Sequence, residues 1–130
     1  MKIEHLAIWT EDLETMKSFY EKYFGAVSNE KYINPIKKFE SYFLSFPDSD
    51  CRLELMKRPD IIQSEQNYEK QFTGFVHFAF STGSRDDVDR LTGQLQSDGY
   101  TVAGQPRLTG DGYYESVILD PENNIIEITQ

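Results

Sequence analysis

The chain has 130 residues, enough for one compact domain with a real core. Nine Phe, eight Tyr and one Trp, with 27% charged residues, mark a globular rather than a disordered protein. A formal net charge of −9 with no cluster of Lys and Arg disfavours nucleic acid and anionic membrane surfaces as partners.

No apolar run approaches the roughly 20 residues that a bilayer span needs, and Met1-Lys2-Ile3-Glu4-His5 lacks the apolar stretch of a secretory signal. Cys51 is the only cysteine, so no intrachain disulfide can form and a reducing cytoplasm is the expected compartment. Beside an apolar row, Cys51 reads as a small packing residue.

Residues 2–9 alternate as a strand. Asp12 is placed to cap a helix carrying Leu13, Met16, Phe19, Tyr20, Tyr23 and Phe24 on one face, and Gly25 supplies a left-handed stop. Strands are expected near 27–33, 40–46 and 51–57, broken by Asn34-Pro35 and by Pro47-Asp48-Ser49-Asp50. The first module, 1–59, therefore reads βαβββ. Residues 60–73 read as a polar connector with partial helical character.

The second module, 74–130, repeats the order. A strand is expected at 74–81, and Ser84-Arg85-Asp86-Asp87 opens a helix with Val88, Leu91 and Leu95 on its apolar stripe. That helix stops at Gly99. Strands follow at 100–104, 113–119 and 124–129, separated by Gly110-Asp111-Gly112 and by Asp120-Pro121-Glu122-Asn123-Asn124. The expectation is one α+β domain over 1–130, made of two βαβββ modules.

Both histidines of the chain fall in the first strand of a module. His5 and His77 lie 72 residues apart, and Glu54 and Glu127, in the last strands, lie 73 apart. An isolated strand histidine is ordinarily a hydrogen-bonded packing residue. Two histidines and two glutamates recurring at one module length point instead to a ligand set. Strand alternation sets each opposite an apolar row: Leu6 and Ile8, Leu53 and Leu55, Val76 and Phe78, Ile126 and Ile128. Two imidazoles and two carboxylates suit a borderline divalent ion such as Ni, Zn, Mn or Fe(II). A purely structural zinc would more typically recruit cysteines.

At these residues the chain resembles the vicinal oxygen chelate superfamily, which takes in glyoxalase I, extradiol dioxygenases, methylmalonyl-CoA epimerase and bleomycin and fosfomycin resistance proteins. The marks are Ile3-Glu4-His5-Leu6-Ala7-Ile8, the stretch Phe19 to Gly25, Arg52-Leu53-Glu54-Leu55-Met56, Val76-His77-Phe78-Ala79-Phe80 and Asp120 to Ile128. The resemblance implies two βαβββ modules forming a curved mixed sheet around a metal cleft, commonly in a homodimer. Its implied metal ligands are His5, Glu54, His77 and Glu127, in the order that is similar to glyoxalase I (lactoylglutathione lyase).

That order implies a lyase or isomerase acting on a small α-hydroxycarbonyl compound or thiol hemithioacetal through an enediolate, with Glu127 or Glu54 moving the proton. The chain departs from bacterial glyoxalase I at Trp9, where an arginine for the glutathione carboxylate is usual, and at Arg58, where asparagine is usual. Trp9 would offer a stacking surface or an aromatic packing residue, and Arg58 a hold on a carboxylate or phosphate or a solvated side chain after the strand. Tyr113 and Tyr114 are expected near the cleft, one of them pointing inward. The rival expectations are a ligand-sequestering protein of the bleomycin resistance type, an epimerase and an Fe(II) dioxygenase.

Overall fold

The computed structural model describes all 130 residues. Its elements are β1 (His5–Trp9), α1 (Leu13–Phe24), β2 (Val27–Ser28), β3 (Tyr32–Asn34), β4 (Phe39–Ser45), β5 (Arg52–Lys57), β6 (His77–Ser81), α2 (Arg85–Ser97), β7 (Val102–Leu108), β8 (Tyr114–Leu119) and β9 (Ile125–Thr129). They fall into two compact units, Met1–Gln63 and Ser64–Gln130, each a mixed sheet with one helix. No helix is long and apolar enough to cross a membrane.

In the first unit the strand order is β1-β5-β4-β2, with β3 pairing β4. The first and last strands run parallel, and the others are antiparallel. Helix α1 is the crossover after β1. It buries Leu13, Met16, Phe19, Tyr20 and Tyr23, matching Tyr42, Leu44, Leu53 and Leu55 of β4 and β5, which are also buried. The expected strand at 27–33 is two short strands, β2 and β3. The segment between them turns through Asn29, whose side chain accepts the Phe43 amide at 2.8 Å and so interrupts the edge.

The second unit repeats the plan as β6-β9-β8-β7, again with first and last strands parallel. Helix α2 buries Val88, Leu91, Thr92 and Leu95, and Ser116, Ile118, Ile126 and Ile128 are wholly buried in β8 and β9. The polar members of this core satisfy each other. Thr92 donates to the Val88 carbonyl at 2.7 Å, so the 2.6 Å contact with Ser116 has the serine as donor.

Local rules account for the element ends. Asp12 caps α1 by accepting from the Glu14 and Thr15 amides, both at 3.1 Å, and Gly25 closes it with φ of 64°. The Thr15 amide, then the Thr15 hydroxyl, hold the Asp12 carboxyl below its ordinary range. A depressed acid contributes stability that is present above its unfolded value and lost as pH falls through the folded one. Asp12→Ala is therefore expected to lower the thermal midpoint at neutral pH, with the gap to the parent closing once the parent aspartate protonates, below about pH 3.9. A gap that stays constant across that acid range would contradict the cap.

The connector forms no helix between Lys57 and His77. Its polar side chains take up the backbone locally: Asn67 accepts from the Glu69 and Lys70 amides, and Ser64 from Gln66. Such turns compete with the helical ladder.

Candidate functional site

Each unit builds one histidine–glutamate pair, and the two are built alike. In the first, Ala7 of β1 lies opposite Glu54 of β5, and His5 is two residues before Ala7. In the second, Ala79 of β6 lies opposite Glu127 of β9, and His77 is two residues before Ala79. Residues two apart share a sheet face, as do register partners. Within each unit the histidine and glutamate therefore stand on the sheet face turned away from the helix, the glutamate diagonal to its histidine beside a small alanine.

His77 Nε2 lies 3.2 Å from Glu127 Oε2, and His5 Nε2 lies 4.0 Å from Glu54 Oε2. Two donors bound to one divalent ion at about 2.0–2.2 Å, in cis or tetrahedral positions, stand about 3.0–3.5 Å apart. The second pair already has that spacing, and the first needs a small side-chain adjustment. The glutamates are mostly buried, at 15% and 21% side-chain exposure, and the histidines are half-open at 40% and 38%. Each pair thus fits two adjacent ligand positions on an ion reached from solvent. No group of three or more His, Cys, Asp and Glu side chains is gathered as a ready cation site.

The surroundings of the two pairs differ. Beside His5, Arg52 is its register partner on β5, and the Glu4 carboxylate bonds both the His5 Nδ1 and the Arg52 guanidinium. Those bonds, His5 first, hold the Glu4 carboxyl below its ordinary range. The Phe43 ring stands edge-on to His5 with centroids 5.4 Å apart, and the Arg52 guanidinium lies 4.2 Å over that ring.

Further along the same face, Trp9 is 40% exposed and meets Phe39 at 6.2 Å. It is an open-face aromatic, not a core residue. Arg58 lies 5.5 Å over the Trp9 ring and pairs with Asp60 at 2.5 Å, which sets it beside the open face rather than free in solvent.

Beside His77 and Glu127 stand two groups that residue pattern alone does not reveal, Glu115 and Arg107. Glu115 and Val117 of β8 share the face of Glu127, since Val117 is its register partner. Burial holds the Glu115 carboxyl above the ordinary carboxylate range; the Glu127 carboxylate adds to the rise, and Arg107, 3.6 Å away, opposes it. Arg107 folds back over Gly104, where an added Cβ would stand 3.1 Å from Nη1.

Neither tyrosine of the 113–114 pair takes the Glu115 position. Tyr114 faces the helix side, donating to Asp89 of α2 at 2.8 Å, and Tyr113 is exposed at the strand's start. The alternation of 114–119 could have found Glu115, two residues from Val117, had the register with β9 been known.

The turn before β9 also positions the site. Asp120, buried, accepts from the Glu122 and Asn124 amides at 2.9 Å and from the Asn124 side chain at 2.8 Å. Asn123 adopts φ of 67°. That closed turn sets where β9 begins, and so which face Glu127 takes.

Among curated proteins, an uncharacterized Bacillus subtilis (strain 168) protein, YqjT, is 24% identical over 129 residues, covering 97% of this chain and 96% of that one. Among solved structures, glyoxalase I from Zea mays superposes with a TM-score of 0.80 at 24% identity over 99% of this chain. The chain spans 44% of the maize protein's length. The trypanothione-dependent glyoxalase I of Leishmania major superposes with a TM-score of 0.76 at 20% identity, covering 100% of this chain and 86% of that one. Those structural likenesses establish the fold. The family model described as the Glyoxalase/Bleomycin resistance protein/Dioxygenase superfamily matches residues 2–128. With nearly the whole length matched and the two-module fold in place, the chain belongs to the glyoxalase/bleomycin resistance protein/dioxygenase superfamily.

Proposed function

We propose that the protein is a metal-dependent lyase or isomerase of the glyoxalase I type, with His5, Glu54, His77 and Glu127 holding one divalent ion. The observation that carries the reading is the repeated construction: a histidine, and a glutamate opposite the second residue after it, on the open face of both sheets. Two pairs supply four ligands, from one chain or from two copies in a homodimer. Nickel, zinc, manganese and iron(II) all suit two imidazoles and two carboxylates.

When bound, such an ion polarises a carbonyl as a Lewis acid. The chain's own residues do the rest. The histidines and glutamates orient a substrate bearing two neighbouring oxygens, a small α-hydroxycarbonyl compound or thiol hemithioacetal. A glutamate removes the proton beside the carbonyl, giving an enediolate, and returns it to the adjacent carbon. Glu127 suits this role better than Glu54. Glu127 shares its face with a second carboxyl, Glu115, which burial keeps protonated to higher pH, whereas Glu54 shares its face with Arg52, already paired to Glu4. The protein is proposed to act in the cytoplasm.

A screen of α-ketoaldehyde–thiol adducts, with glutathione and with other thiols, tests the reading in the presence of each of the four metals. Turnover that a chelator abolishes is expected. The presence of Trp9 where glyoxalase I has its glutathione-binding arginine favours a thiol other than glutathione. Tight ligand binding that ignores metal, with no turnover of any adduct, would replace the enzyme by a sequestering protein of the bleomycin resistance type.

A further inference from the structure

The two histidines differ in what holds their second ring nitrogen. Glu4 bonds His5 Nδ1, while Val76 stands at the equivalent place before His77. Glu4 lies outside β1, which begins at His5. Its side chain is therefore free of the strand's alternation and turns to the side that His5 occupies. Its backbone is fixed all the same, because the Glu4 carbonyl accepts the Arg52 amide at 3.0 Å. Its carboxylate also takes the Arg52 guanidinium, and that guanidinium rests on Phe43 at 4.2 Å.

A carboxylate is an acceptor only, so the proton of the Glu4–His5 bond sits on Nδ1. In neutral imidazole the other nitrogen then carries the lone pair. That nitrogen is Nε2, the one facing Glu54 at 4.0 Å. We infer that Glu4 is a positioning residue, which fixes the tautomer and ring orientation of His5 so that Nε2 is presented as a ready donor beside Glu54. The inference rests on the proposed ligand role of His5.

Glu4 has a second effect. Arg52 is on the same face as His5, and an unpaired guanidinium there would repel an incoming cation. Glu4 holds that charge in an ion pair. The His5 ring is thus fixed in advance by an outer carboxylate, whereas His77 has no carboxylate before it in sequence. Outer partners of ligating histidines typically change metal affinity by about 10–100-fold when removed.

The test uses Glu4→Ala and the double variant Glu4→Ala/Arg52→Met in the full chain. Nitrogen-15 NMR of the metal-free protein at about pH 8, where an ordinary imidazole is neutral, reads the tautomers of both histidines. His5 is expected with its proton on Nδ1 in the parent and shifted towards Nε2–H in Glu4→Ala, while His77 stays unchanged. Zinc affinity by chelator competition should fall by about 10–100-fold in Glu4→Ala and stay reduced in the double variant.

An unchanged His5 spectrum in Glu4→Ala overturns the inference. So does full recovery of zinc affinity in the double variant, which would assign the effect to the freed Arg52 charge alone. A parent that takes up no zinc sinks the metal reading, and the NMR result then decides the Glu4 inference alone.

Discussion

Replacing Glu127 by glutamine is expected to lower turnover of an α-ketoaldehyde–thiol adduct by about 10²–10⁴-fold, the usual worth of a positioned general base. Glutamine keeps the size and an oxygen donor but cannot take up the substrate proton. The loss should fall mainly on kcat, because orientation of the substrate survives while proton transfer does not. Glu54→Gln is expected to weaken metal binding more than it alters the proton transfer of the loaded enzyme, Glu54 being the carboxylate that shares its face with Arg52. Measuring kcat and metal content side by side for both variants separates the roles. Equal loss of metal from the two, with the same residual turnover per bound ion, would contradict the assignment of the base to Glu127.

The largest expected effect on stability is that of Ile126→Ala. Ile126 precedes Glu127 on β9 and is wholly buried. It points to the helix side, where α2 buries Val88, Leu91 and Leu95. Removing three carbons from such a site costs the transfer free energy of the side chain and leaves a cavity, together about 2–5 kcal/mol. A urea titration followed by circular dichroism should show that loss as a lower midpoint with little change in slope. A loss below about 1 kcal/mol would mean that α2 collapses onto the gap, or that the packing of β9 is not as described. The same strand thus carries the core on one face and the proposed base on the other, so stability and site geometry are coupled through single-residue alternation.

That alternation is why much of the architecture was legible in the sequence. Asp12, Gly25 and Ser84 act as caps by strictly local hydrogen bonding and backbone conformation, which neighbouring residues reveal. Leu53 and Leu55 around Glu54, and Ile126 and Ile128 around Glu127, gave the buried face of each strand and therefore the open one.

What escaped depends on register and on where strands end. Glu115 is a site neighbour only because Val117, two residues on, pairs with Glu127, and no property of residues 113–119 alone gives that pairing. Glu4 was hidden by an expected strand that began at Lys2. Alternation would then have put Glu4 on the face opposite His5, but the strand starts at His5 and releases it. Of Tyr113 and Tyr114, one was expected to point into the cleft by alternation, and it is not Tyr114, whose hydroxyl is taken by Asp89 on the helix side. In the connector, Asn67 and Ser64 captured the backbone before a helix could form.

The two histidine–glutamate pairs are proposed to bind one divalent ion together. Metal content of the purified protein, followed by nickel, zinc and manganese titration of the parent and of His77→Ala, tests it most directly. One tightly held ion per chain is expected, lost when His77 is replaced although His5 and Glu54 remain. A parent with no affinity for any of the three metals, or a His77→Ala variant that binds as tightly as the parent, would contradict it.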